Sequence, residues 1–343
     1  MSRPLEAARS TTKARRTQRS LFSLAFFTAS IVFPFSGARP QESQQSEEEI
    51  VSNLAAGRVV VVVAKDGIVL ATLENRIEPN TLPPLVVPLG SRRAGVLLGA
   101  IDWIALDAGI HFARLDKELP KLHSQTIKTG PRLQKEASGG VASDIEDVGL
   151  GLFERLHEVV KQIHARIDLP AQEPLVELVL ADYIEGYGPE VWLLSYPLEQ
   201  LPVREDYWET RVLRPRYTQL WPPEKGQPHA MMEILYPPDD RAPRLLDLLR
   251  QNDARLRGVR LADASTTALA EQLSSDDTRK ALAADTTSFL RATLDAIAAP
   301  NANQVVAVIS EQTGFDWILA PKEGTKGDNA RPPGAPTLIK PTP

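Results

Sequence analysis

Few residue groupings in this chain have the types and spacing for chemistry. His157-Glu158-Val159-Val160-Lys161 comes nearest to a motif, one residue short of the H-E-x-x-H zinc-protease pattern. A protonated lysine stands at the second ligand position and cannot bind zinc. His164 lies two helical turns from His157, with no third ligand at a supporting spacing. Both histidines read as packed residues beside an apolar stripe, so no metal and no cofactor are expected. Asp239-Asp240 and Asp276-Asp277 are paired acids, but neighbours in sequence do not face one another. They suit turns or a helix start, where Asp277 or Asp276 caps the following helix. The sequence has no G-x-S-x-G elbow, P-loop or dinucleotide fingerprint. The tryptophans Trp103, Trp192, Trp208, Trp221 and Trp317 could together form a ligand-stacking surface, but Trp192 and Trp317 sit in apolar runs and read as core. Trp208 and Trp221 fall in Pro-rich stretches suited to an interaction surface.

The 343 residues contain no cysteine, which excludes disulfides, thiolate metal sites and a cysteine nucleophile. Residues 1–20 carry Arg3, Arg9, Lys13, Arg15, Arg16 and Arg19 against Glu6 alone. An apolar run, LFSLAFFTASIVFPF, and the small residues Ser36-Gly37-Ala38 follow. This is the layout of a signal peptide over residues 1–38. The run is shorter than the ~20 residues of a membrane span, so an uncleaved anchor is the alternative. The expected location is periplasmic or extracellular, with no membrane contact beyond the signal segment. Removing a leader of net charge +5 from a chain of −5 leaves about −10. A surface that acidic does not suit nucleic acid.

Residues 39–56 begin RPQESQQSEEE and read as a flexible acidic leader. The strongest structural signal follows, RVVVVVAKDGIVLATLENR over residues 58–76. Two nearly continuous apolar runs flank Lys65-Asp66-Gly67. Asp-Gly between β-branched runs marks a tight hairpin in which Gly takes a positive φ. Residues 85–88 and 94–101 read as a second hairpin, 175–184 and 190–196 as a third, and 305–310 and 315–319 as the last. Residues 105–119 form a candidate helix ended by Pro120, and 120–142 a loop. The spacing of Ile145, Val148, Leu152, Leu156, Val159, Ile163 and Ile167 predicts a helix over 143–167, opened by a Ser143/Glu146 capping box. Further helices are expected over 243–252 and 276–298. Short strands and covering loops are expected in 197–241, and a disordered Pro-rich tail in 321–343. Helices grouped between antiparallel hairpins give an α+β fold class.

This order resembles the proteasome β-subunit family of N-terminal-nucleophile hydrolases. In that family a first strand turns through "DG" into a strand ending in an "ADSR"-like segment; Asp66-Gly67 and Leu73-Glu74-Asn75-Arg76 stand there. The family's Gly-rich hairpin end is similar to Leu97-Leu98-Gly99-Ala100, and the later hairpins are similar to residues 176–196 and 306–318. The resemblance covers residues 57–320 and implies a four-layer α-β-β-α sandwich of two antiparallel sheets. It implies catalysis by an N-terminal Thr, Ser or Cys whose own amine is the base. That position falls at or beside Gly57, the family's acid near Leu73 or Glu74, and its lysine among residues 84–87, which hold none. The resemblance therefore implies a domain without its nucleophile, a binding or structural module with a protein or peptide partner or a second copy. Ser52, exposed by a further cleavage after Val51, would make an active amide hydrolase instead, with Glu74 and Asp102 as candidate acids. An unrelated exported α+β binding protein is the third reading.

Overall fold

Continuous runs of valine and leucine form strands because β-branched side chains fit a pleated surface covered on both faces. The computed structural model describes residues 50–75, 81–105, 110–127, 143–163, 166–167, 174–205, 207–223, 230–239, 241–251, 253–259, 264–274, 281–321 and 339–340. In chain order they begin with β1 (Ile50–Ala55), β2 (Gly57–Val63), β3 (Gly67–Glu74), β4 (Leu85–Pro88), β5 (Arg93–Ala105) and β6 (Ile110–Arg114). Helices α1 (Leu115–Ile127) and α2 (Ser143–Val160) follow, then β7 (Arg166–Ile167), β8 (Val176–Ile184) and β9 (Gly188–Tyr196). Next come β10 (Leu198–Arg204), β11 (Tyr207–Val212), β12 (Arg216–Trp221) and β13 (Met231–Tyr236). The chain continues through α3 (Leu245–Arg250), a 3-10 turn at Ala254–Val259, α4 (Ala264–Ser274) and α5 (Ala283–Ile297). It closes with β14 (Gln304–Ser310), β15 (Gly314–Leu319) and β16 (Ile339–Lys340).

The larger sheet has the order β1-β5-β8-β9-β12, with β4 and β6 also on β5. The second has the order β13-β2-β3-β14-β15. Every ladder between these strands is antiparallel. The fold is α+β, with most of its regular structure in antiparallel sheets. Two small ribbons, β10-β11 and β16-β7, stand apart.

Side chains along β2 alternate between two hydrophobic clusters, as the period-two geometry of a strand demands. Val59, Val61 and Val63 join Val96, Leu98 and Val179 of the larger sheet. Val60 and Val62 join Phe289, Leu290 and Leu294 of α5. Accordingly β8 packs on β3 and β14, α5 on β3 and β14, and α1 on β4 and β5. Each fully buried Val or Leu here contributes about 1.5–3 kcal/mol relative to exposure.

Several expectations need correction. Gly67 is not among the residues with positive φ. It is required instead by close approach, since a Cβ there would lie 2.6 Å from the Ile309 carbonyl of β14. Residues 50–56 are not leader: 50–55 form β1, and Ser52 to Ala56 are buried. Residues 39–49 lie outside the described residues. Residues 101–105 extend β5, because β8 pairs with its first half and β1 with its second. The helix expected to end at Pro120 starts just before it, and Pro120 lies inside α1. The proline forfeits one intrahelical bond, while fully buried Leu115 and Leu119 hold that turn in place. Helix α2 stops at Val160, and Ile167 belongs to β7. The helix expected over 276–298 begins at Ala283. In the tail, 339–340 form β16, while 322–338 lie outside the described residues.

Candidate functional site

Gly57 is the first residue of β2, just after the chain leaves β1 and the larger sheet for the other sheet. Glu74 stands directly opposite it in the β2-β3 register, and Tyr236 opposite on the other side. The Gly57 backbone has φ +155, which L side chains rarely adopt. A Cβ at this position would lie 2.2 Å from the Leu73 carbonyl, 2.9 Å from Pro84 Cδ and 3.0 Å from Pro84 Cγ. Thus the positions assigned to nucleophile, acid and the start of the lysine segment converge in space. They are filled by Gly57, Glu74 and Pro84.

The chain on the N-terminal side of Gly57 is fully engaged. Ala56 donates its N–H to Leu82 (2.9 Å) and accepts from Asn75 (3.1 Å), and Leu82 donates to Leu54 (2.9 Å). A free α-amine, the base of an N-terminal nucleophile, has no counterpart there. Glu74 Oε2 accepts two hydrogen bonds, from Asn303 N–H and Asn303 Nδ2, each 2.9 Å. The Glu74 N–H returns one to the Asn303 carbonyl at 2.9 Å.

Ser52 is wholly buried on β1, opposite Trp103, and its Oγ donates to the Asn53 carbonyl at 3.3 Å. Asp102 pairs with the adjacent Asn53, whose Nδ2 donates to Asp102 Oδ2 at 2.9 Å. Strand alternation turns Ser52 and the Asn53-Asp102 pair to opposite faces. Glu74 belongs to the other sheet. The three candidate residues therefore do not form one constellation; the two acids are each held by an asparagine amide. Neither asparagine carries a sequence signal, because Asn303 is 229 residues from Glu74 and Asn53 is 49 from Asp102.

Arg93, on β5, is a further buried charge with no motif around it. It pairs with Asp182 of β8 and with Asp144 at the start of α2. Burial pulls its pKa down, but the two carboxylates outweigh burial and the net displacement is upward. On the other sheet Arg58 pairs with Glu233, which also accepts the Leu245 N–H at the start of α3 (2.7 Å). Burial lowers the Arg58 pKa to about 10, helped by nearby Arg244 and Arg255. The Arg93 cluster ties α2 to the interior strands β5 and β8, the Arg58 cluster ties α3 to β2 and β13, and neither presents a nucleophile.

His157 is exposed on α2 and stacks on Phe153 with centroids 6.0 Å apart. Glu158 pairs with Arg155, and the Lys161 N–H donates to the His157 carbonyl. His164, Asp240, Asp276 and Asp277 lie outside the described residues. Among the described residues, no three of His, Asp or Glu are grouped to hold a metal ion. None of the described helices is long and apolar enough to cross a membrane. Trp103 and Trp192 are buried; Trp317 is partly buried and meets Phe315 edge-on at 4.9 Å. Trp221 packs partly against the core, and Trp208 is half-buried on β11.

No protein-family profile matches the chain, and no curated protein aligns with it significantly.

Proposed function

We propose that this is an exported, proteasome-β-like domain that has lost its nucleophile and acts as a binding or structural module. Gly57 carries the reading: in register with Glu74 and against Pro84, it leaves no room for a side chain and no free amine. The element order supports the family resemblance: hairpin β2-β3, strands β4-β5, helices α1 and α2, hairpin β8-β9, irregular strands, helices α3 to α5, hairpin β14-β15. The finer architecture, a four-layer α-β-β-α sandwich, draws support from β2 feeding two clusters, one shared with the larger sheet and one with α5. The charge of about −10 after leader removal favours a protein or peptide partner, or a second copy, over nucleic acid.

The test is intact mass and N-terminal sequencing of the mature protein from its native host, combined with an electrophilic probe for N-terminal nucleophiles. A chain starting between Arg39 and Gln41 that takes up no probe sustains the proposal. A chain starting at Ser52 that turns over an amide substrate, with turnover abolished by Ser52→Ala, overturns it in favour of a hydrolase.

A further inference from the structure

Three of the six large hydrophobic side chains exposed among the described residues lie on the β10-β11 ribbon or directly after it. They are Leu201 (46% exposed), Val203 (58%) and Leu213 (39%). The two faces of the ribbon differ. Leu198 pairs with Val212, Gln200 with Thr210 and Pro202 with Trp208, so these residues share one face. That face is seated. Val212 and Thr210 are buried, Leu198 packs on the larger hydrophobic cluster, and β11 packs on α2. The Gln200 amide accepts from the Ile167 N–H and donates to the Ile167 carbonyl, both at 2.7 Å. Strand alternation sends Glu199 and Leu201, with their partners Arg211 and Glu209, to the other face, where all four are exposed.

The charges on this outer face are arranged to match themselves. Arg211 lies opposite Glu199 in register, and its Nε donates to Glu209 of its own strand at 3.1 Å. Laid on a second copy about a two-fold across the strands, each Arg211 meets the other copy's Glu209. About a two-fold along the strands, it meets the other copy's Glu199. Neither arrangement sets a carboxylate directly over a carboxylate, and in both Leu201 covers the ion pairs from water. A partner surface of a single sign would leave either Arg211 or the two glutamates facing like charge. The whole chain carries −5, so two copies approach best where base and acid are interspersed.

We propose that the outer face of the β10-β11 ribbon is a self-association surface and that its occupant is the same face of a second copy. This rests on reading the chain as a binding or structural module. A face of two short strands buries less than ~1,200 Å² in total, the size of a reversible contact, so the dimer forms and dissociates with concentration.

Sedimentation equilibrium on the chain as its native host processes it tests this. Wild type is expected to be a concentration-dependent dimer. Leu201→Glu and Arg211→Glu each set carboxylate over carboxylate in either arrangement and are expected to weaken the dimer about tenfold or more. Ile318 is 45% exposed on β15, away from the ribbon, so Ile318→Glu is expected to leave it within about twofold of wild type. A wild type that stays monomeric, or a dimer weakened equally by Leu201→Glu and Ile318→Glu, overturns the proposal. If thermal unfolding shows that Leu201→Glu harms the fold, a charge swap decides. Arg211→Glu mixed with Glu199→Arg/Glu209→Arg is expected to recover a dimer that neither forms alone. No recovery overturns the proposal. The same samples separate this surface from the loss of the nucleophile. A monomer that takes up no N-terminal probe sinks the surface alone. A ribbon-dependent dimer that takes up the probe upholds the surface and sinks the loss of the nucleophile.

Discussion

At Gly57 two independent constraints coincide, a backbone in the glycine region and a carbonyl 2.2 Å from where a Cβ would sit. Gly57→Ser is therefore expected to yield no activity and to destabilise the fold by about 3 kcal/mol. Chemical denaturation and a probe-labelling assay on the same variant check both halves. Tyrosine chemistry sets a second expectation. Burial, then the nearby Glu146, pushes the half-buried Tyr217 hydroxyl up to about 12. Burial also raises fully buried Tyr196, whose hydroxyl donates to the Gly149 carbonyl at 3.2 Å. A raised folded pKa means stability present below pH ~10 and lost as pH climbs toward 12. Tyr217→Phe should flatten the alkaline decline by about 1 kcal/mol, allowing for solvent screening. Stability measured from pH 9 to 12 in wild type and variant gives the comparison.

Elements were legible where local chemistry dictates them. The Asp-Gly turn, the apolar runs beside it and the paired runs at 176–196 and 304–319 all appear as hairpins near their expected bounds. Elements fixed by distant partners were not legible. β1 looks like the end of an acidic leader, and only its ladder to β5 makes it a strand. β13 is one of the short strands expected in 197–241, but its pairing along β2 carries no local signal. The start of α5 shows the same dependence on a partner far away in sequence. Asp66 of the β2-β3 turn accepts the Ala283 N–H at 2.7 Å, across 217 residues, so the cap comes from another element. Asp66→Ala should cost about 1 kcal/mol, as other lost caps do, while Asp66→Asn should retain most of it. Thermal unfolding of the two variants separates the cap from the charge.

For the whole molecule, the resemblance implies that Glu74 lies near Gly57, and the strand register sets the two directly opposite one another. The rest of the polar interior escapes a linear reading. Arg93 gathers Asp144 and Asp182 from 51 and 89 residues away, and Glu74 finds Asn303 at a separation of 229. Such pairs follow from which strands cross, which no local periodicity encodes.

The position of β14 also governs how the molecule can be made. Strand β3 is flanked by β2, which follows from a local turn, and by β14, which is more than 230 residues later. A chain emerging from the ribosome completes the β2-β3 hairpin early, then carries the other edge of β3 unpaired until residues 304–310 exist. That edge belongs to GIVLATLE, a strand buried along its whole length once folded. Throughout synthesis it is an open template for foreign strands. Folding of this sheet thus waits for the C-terminal hairpin.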